Sequence, residues 1–245
     1  MHIRSRGILT FFGIVALLLA SGGPAAAQSG EAQDSESDAA TAAPVATPSG
    51  PPRATTPPDP ALLAEVEAYL DGLDTLTAAF TQIDETGATR RGALSLKRPG
   101  RLRFDYTDDT PLLLVSDGDL LTFVDYSVGQ VTRWPIEDTV LHILVSDDID
   151  LTQSDAVINA TVEQQTGRVH VVAQDPERPE QGRIIIRFDR TGSGLSLSGW
   201  TVIDAQRSLT TVRLDDLRRN VALASELWAF EDPRTLPSER RRRRR

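Results

Sequence analysis

The chain predicts a mainly β domain, an antiparallel and strongly curved or barrel-like sheet of about ten strands with two or three short helices. Three observations predict it. Residues 92–125, GALSLKRPGRLRFDYTDDTPLLLVSDGDLLTFVD, are four short apolar-alternating segments separated by Pro-Gly, Asp-Asp-Thr-Pro and Asp-Gly, the punctuation of consecutive strands. Similar segments recur at short intervals almost to the carboxyl end. The connections are too short for parallel crossovers, which need a dozen or more residues.

The domain opens with a helix. Asp59 can cap it, Pro60 suits its first position, and Leu62, Leu63, Val66, Tyr69 and Leu70 follow at helical spacing until Gly72. Leu76, Ala78 and Phe80 then alternate with Thr77, Ala79 and Thr81 as a first strand, although the pattern also fits a helix running on to Phe80. Next come Leu94 and Leu96, then Leu102, Phe104 and Tyr106, then Leu113 and Val115, then Leu121 and Phe123. Each set occupies one face of its segment, with Arg, Lys, Ser, Thr and Asp opposite.

After Val131 and Trp134 the period changes. Residues 135–144 hold Ile136, Val140, Leu141, Ile143 and Leu144 behind Glu137 and Asp138, as a short helix prefers, and such an insertion lies across the open face of a sheet. Strands resume at 156–164 and 168–173, joined at Thr166-Gly167, and continue at 183–189, 195–204, 207–214 and 227–231.

The ends indicate a compartment. Arg4 and Arg6, the apolar stretch 8–20 and the small residues Pro24-Ala25-Ala26-Ala27 form a secretory signal over 1–27, shorter than the roughly 20 apolar residues of a membrane span. The chain has no cysteine, so neither a disulfide framework nor a lipidated amino terminus is available. Removing 1–27 leaves 24 basic against 35 acidic residues, a formal charge of −11, which excludes nucleic acid as a partner for the bulk of the protein. Residues 28–58, rich in Ala, Ser, Thr, Pro and acids, read as a disordered linker. Residues 59–237 have the size of one domain. The tail, 238–245, ends in six consecutive arginines running from Arg240 to Arg245, which could bring an acidic protein into transient contact with an anionic membrane surface.

Catalytic chemistry is not legible. His2 falls in the signal, His142 in an apolar helix and His170 among strand valines, so no metal site can be built from them. Residues 192–199, GSGLSLSG, miss the spacing of a serine-nucleophile elbow and read as a hairpin turn. Asp147, Asp148, Asp150 and Asp155 lack the glycine and terminal glutamate of a calcium loop. Arg98 stands apart, because steps of two along Leu94 and Leu96 place it on the apolar face or its rim. It either snorkels to solvent at the strand end or bonds exposed carbonyls at the ends of the covering helices, as a latch.

Phe80-Thr81-Gln82, Gly92 with Leu94, Leu96, Lys97, Arg98 and Pro99, Leu114-Val115-Ser116-Asp117-Gly118, and 204–214 with Gln206-Arg207-Ser208 resemble the periplasmic outer-membrane lipoprotein carrier family, LolA, over most of 59–232. The resemblance implies an unclosed, half antiparallel β-barrel whose concave apolar face is covered by a helical lid. Acyl chains would enter between Phe80, Leu94, Leu96, Leu102, Phe104, Tyr106, Leu113, Val115, Leu121 and Phe123 and the lid residues Leu62, Val66, Leu70, Val140, Leu141 and Leu144. It also implies that Arg98 latches the empty cavity, that no cofactor or covalent chemistry is involved, and that the protein is a soluble periplasmic monomer. Its partners would be acylated lipoproteins, an inner-membrane ABC transporter and an outer-membrane receptor lipoprotein. Departures are few aromatics and a lid segment, 139–144, without proline or methionine. Two other readings remain at this stage, a lipid-sensing regulatory domain and a periplasmic hydrolase.

Overall fold

The computed structural model describes residues 59–107, 110–147, 151 and 157–235. The signal, the linker and the arginine tail lie outside the described residues. Helix α1, Pro60–Asp71, begins where the sequence predicts: the Asp59 carboxylate accepts hydrogen bonds from the amides of Ala61 and Leu62 at 3.0 and 3.5 Å, satisfying donors that no helical carbonyl can reach. Its far end is tied to a distant segment. The Asn220 side chain donates to Gly72 O at 2.9 Å and accepts from Asp74 N at 3.0 Å.

Eleven strands follow: β1 Thr75–Ile83, β2 Thr89–Lys97, β3 Arg101–Tyr106, β4 Leu112–Asp117, β5 Leu120–Asp125, β6 Gln130–Pro135, β7 Val157–Val162, β8 Val169–Gln174, β9 Arg183–Thr191, β10 Gly194–Ile203 and β11 Leu209–Arg219. They form one antiparallel sheet in the order β6-β5-β4-β3-β2-β1-β11-β10-β9-β8-β7. Two meanders, β1–β6 and β7–β11, therefore join along a central seam where β1 pairs with β11, with Phe80 opposite Leu214. The sheet does not close, because β6 and β7 are its two free edges.

The bend of the sheet has local causes. Register shifts occur between Thr77 and Ala79 in β1 and between Leu197 and Gly199 in β10, and a bulge of this kind sharpens twist and curvature. Leu197 lies beyond the β10–β11 ladder, which starts at Gly199, and its amide donates to Tyr69 OH of α1 at 3.0 Å. Tyr69 also meets the Phe188 ring edge-on, 5.3 Å between centroids, and Arg219 lies over its other side at 4.5 Å. Glu65 adds a bidentate pair with Arg190 at 2.7 and 2.8 Å. Helix α1 is thus bolted to β9 and β10.

Three expectations need correction. The segment 135–144 is not one helix but a 3-10 turn, Ile136–Asp138, followed by the four-residue helix α2, His142–Val145. Residues 227–231 are not a strand: a 3-10 turn, Ser225–Trp228, and an extended strap run over the convex face, where Arg103 Nη1 holds the carbonyls of Leu227 and Ala229 at 2.9 Å each. Leu113 and Val115 do not face the lid. They form a second cluster with Val124 on the convex side, beside Tyr126, Val131 and Phe230. Register explains it: Phe104 is opposite Leu114, which is opposite Phe123, so the pleat turns Leu114 inward and its neighbours outward.

Candidate functional site

The concave face of the sheet carries one continuous apolar cluster. Phe80, Leu94, Leu96, Leu102, Phe104 and Phe123 are buried there, with Leu62, Val66 and Leu70 of α1 and Leu144 of α2 packed onto them. Edge-on contacts of Phe80 with Phe104 and Tyr106, and of Phe104 with Trp200, order its centre at 5.0–6.1 Å. The packing is not complete. Between sheet and lid remains a cavity of about 90 Å³, several times the ~10–15 Å³ that one water requires.

The cavity walls are Phe104, Tyr106, Leu114, Leu121, Trp134, Trp200, Val202, Thr210 and Val212, with Val140 and Leu141 of the lid segment above them. Two of its polar groups are paired within the protein, whereas the buried Trp134 Nε1 has no hydrogen-bond partner among the described residues. Tyr106 OH donates to Gln82 Oε1 at 2.8 Å, and burial pushes the Tyr106 hydroxyl pKa upward so that it stays neutral. The Asp204 carboxylate accepts from the amides of Gln206 and Ser208 at 2.9 and 2.8 Å. A cavity lined this way is predominantly apolar, with Gln82, Tyr106, Thr139, Asp204, Ser208 and Thr210 as its polar rim. Among the described residues no group of His, Cys, Asp and Glu side chains could hold a metal ion.

At the other end of the lid stands Arg98. Its Nε donates to Ser146 O at 2.7 Å and Nη2 to the same oxygen; Nη1 donates to Leu70 O, and Nη2 also to Asp147 O at 3.3 Å. These carbonyls lie at the carboxyl ends of α1 and α2, where helical backbones leave acceptors unmade and partial negative charge accumulates. Burial lowers the Arg98 pKa, while the nearby carboxylates of Asp71, Asp147 and Asp74 oppose the shift. The next turn adds a backbone tie, Gly100 N to Val145 O at 2.7 Å. Gly100 has φ +71, and a Cβ there would meet Gly118 O at 2.2 Å. The Arg98-Pro99-Gly100 and Ser116-Asp117-Gly118 turns are therefore in backbone contact.

Of the sequence-predicted cavity residues, Phe104, Tyr106, Leu121, Val140 and Leu141 border the open space, and Phe80, Leu94, Leu96, Leu102 and Phe123 form the packed floor beside it. Sequence reasoning missed Leu114, Trp134, Trp200, Val202 and Val212. The Trp200 and Val202 signal was present, since both are large apolar residues two apart in a strand, but the bulge at Ser198 breaks the period before them. His170 points to the convex side, between Thr161 and Arg187.

The profile of the family described as outer membrane lipoprotein carrier protein LolA matches residues 71–231. An outer-membrane lipoprotein carrier protein of Methylococcus capsulatus is 30% identical over 179 residues, covering 69% of this chain and 83% of that one. One from Legionella pneumophila strain Corby is 28% identical over 182 residues, covering 70% and 86%. Among solved structures, a LolA superfamily protein from Nitrosomonas europaea aligns with a TM-score of 0.38 at 10% identity, covering 68% of this chain and 97% of that one. The chain belongs to the LolA family of outer membrane lipoprotein carrier proteins.

Proposed function

We propose that the protein is a periplasmic carrier that takes the acyl chains of lipoproteins released from the inner membrane into the cavity between sheet and lid and conveys them to the outer membrane. The observation that carries this reading is a leftover apolar cavity beneath a lid segment whose end is fastened by Arg98. Each acyl methylene left in water costs about 0.8 kcal/mol, so a multiply acylated protein needs an apolar host to cross an aqueous space. The closed cavity has room for only a few small groups, and cargo must displace the lid to enter.

That displacement is what makes delivery possible. Opening breaks the Arg98 bonds, so part of the burial energy is consumed and the net affinity falls below what the apolar area alone would give. Helix α1 is held by Tyr69 and Glu65, whereas α2 is four residues long and tied through Arg98 and Gly100; the 136–147 segment is therefore the part that swings. An inner-membrane ABC transporter would load the carrier and a receptor lipoprotein at the outer membrane would unload it. Incubating the purified protein with spheroplasts tests the reading: lipoproteins should appear in the supernatant as soluble one-to-one complexes, and a supernatant free of them would sink it.

A further inference from the structure

The cavity is apolar over most of its wall, and one wall residue carries a group that hydrocarbon cannot satisfy. Trp134 of β6 is 7% exposed and borders the open space, yet its Nε1 is shielded from solvent and has no hydrogen-bond partner among the described residues. An indole N–H can only donate, and a buried donor left unmade weakens the state that contains it. The strand partner of Trp134 is Leu121, and Leu114, Val140 and Leu141 line the cavity with it; none of these side chains carries an acceptor. Thr139, the wall hydroxyl nearest to it in the chain, donates to Ile136 O at 2.8 Å within the lid's own turn.

Position adds to this. Trp134 stands on a free-edge strand one residue before Pro135, where the lid segment begins, and the first tie of that segment to the sheet is Ile136 N to Asp119 O at 2.8 Å. A swing of the lid away from this root enlarges a space that already has the indole in its wall. We propose that Trp134 Nε1 donates to the carbonyl oxygen of an acyl group's ester or amide linkage, so that the cavity recognises an acyl carbonyl and not hydrocarbon alone. This inference rests on the carrier reading and names the chemical feature of the cargo that the site selects. Burial of a saturated chain is non-directional and leaves the chain free to slide along the wall; one directional donor fixes where its head comes to rest. Because the donor is unpaired in the empty closed form and paired in the loaded one, the bond favours loading by its difference between the two states.

The test measures displacement of a polarity-sensitive apolar dye from the protein by methyl decanoate, N-methyldecanamide and dodecane, three chains of matching length. Trp134→Phe keeps an aromatic wall and removes the N–H. Any space it frees affects all three ligands alike, so the ester-to-dodecane and amide-to-dodecane affinity ratios isolate the hydrogen bond. One or both ratios should fall about threefold to tenfold in the variant. A fall in the ester ratio assigns the donor to an acyl group on a glyceryl oxygen, and a fall in the amide ratio to one on an amino nitrogen. Ratios equal in the two proteins overturn the proposal, including the case in which water satisfies the indole whatever the ligand. If none of the three displaces the dye, the carrier reading fails together with the proposal; if all three do and the ratios stay fixed, only the role of Trp134 fails. A measurement on the unaltered protein covers a variant that does not fold. With isotope-labelled indole nitrogens, the Trp134 N–H resonance is told apart from those of Trp200 and Trp228 by replacing each of these with Phe in turn. It should move downfield with methyl decanoate or the amide and stay in place with dodecane; equal shifts for all three overturn the proposal.

Discussion

Arg98 and Ser146 are joined by two donors on one acceptor: Nε reaches the Ser146 carbonyl oxygen at 2.7 Å and Nη2 donates to the same atom. A single oxygen at the end of α2 thus carries much of the connection between the β2–β3 turn and the lid, with Leu70 O extending it to α1.

Replacing that guanidinium isolates its contribution. Hydrogen bonds involving a charged group are worth roughly 1.5–3 kcal/mol each, so Arg98→Leu should shift the lid toward the open form by about tenfold to a hundredfold. Amide exchange across 140–146 should accelerate, and acyl cargo should accumulate on the carrier because release no longer gains the latch. Unchanged exchange and unchanged transfer would remove the latch role.

Filling the cavity should block binding without unfolding the protein. Thr210 lies half-buried in the wall, opposite Val202, and Thr210→Trp would project an indole into the open space. Binding of a fluorescent fatty acid should fall at least tenfold, while the unfolding free energy from urea denaturation falls by less than the ~1–3 kcal/mol typical of overpacking. Full retention of fatty-acid binding would place the acyl site elsewhere.

Gly92 sits opposite Phe80 on one side and Tyr106 on the other. A Cβ there would lie 2.0 Å from Asp105 O and 2.6 Å from Phe80 Cε1, so both the β3 backbone and the Phe80 ring of β1 would have to shift. Gly92→Ala should therefore destabilise the fold by about 2–4 kcal/mol in urea denaturation. A loss below ~0.5 kcal/mol would mean that the sheet accommodates a side chain there.

His170 gives the fold a pH dependence of known sign. Its Nε2 is buried without a hydrogen-bond partner among the described residues. Desolvation lowers its pKa, aided by Arg187 and Arg168 and opposed by Glu163. The unfolded chain then takes up the proton first, so the stability this residue contributes is complete above the ordinary value of ~6.5 and declines as pH falls below it. The stability of the native chain should drop as pH falls below about 6.5, and His170→Gln should flatten part of that slope. Parallel slopes for both proteins would show that His170 is not the group responsible.

Much of this was legible because antiparallel pleating writes itself into the sequence. Leu94-Ser95-Leu96 and Leu102-Arg103-Phe104 show their buried face directly, and Arg98 could be placed by counting along the first of them. Its acceptors could not: Leu70 is 28 residues before it and Ser146 is 48 after it, and only the folded sheet brings them together. Strand β4 misled for the opposite reason. Leu112-Leu113-Leu114-Val115 is apolar on both faces because the strap covers the convex one, and a run without alternation carries no parity. The strap itself resembles a strand in composition, yet its backbone bonds go to the side chain of Arg103 rather than to a neighbouring ladder.

The β1–β11 seam has a consequence for how the molecule comes into being. Residues 75–83 wait for residues 211–219, so the first meander is made and released with its inner edge bare until nearly the entire polypeptide is available. Pairing between such remote segments is slow, and a chain cut short before Leu209 would present unpaired edges in both halves, an invitation to intermolecular association. The centre of the sheet thus acts as a length check on biosynthesis: only a polypeptide carried through its eleventh strand can bury the first.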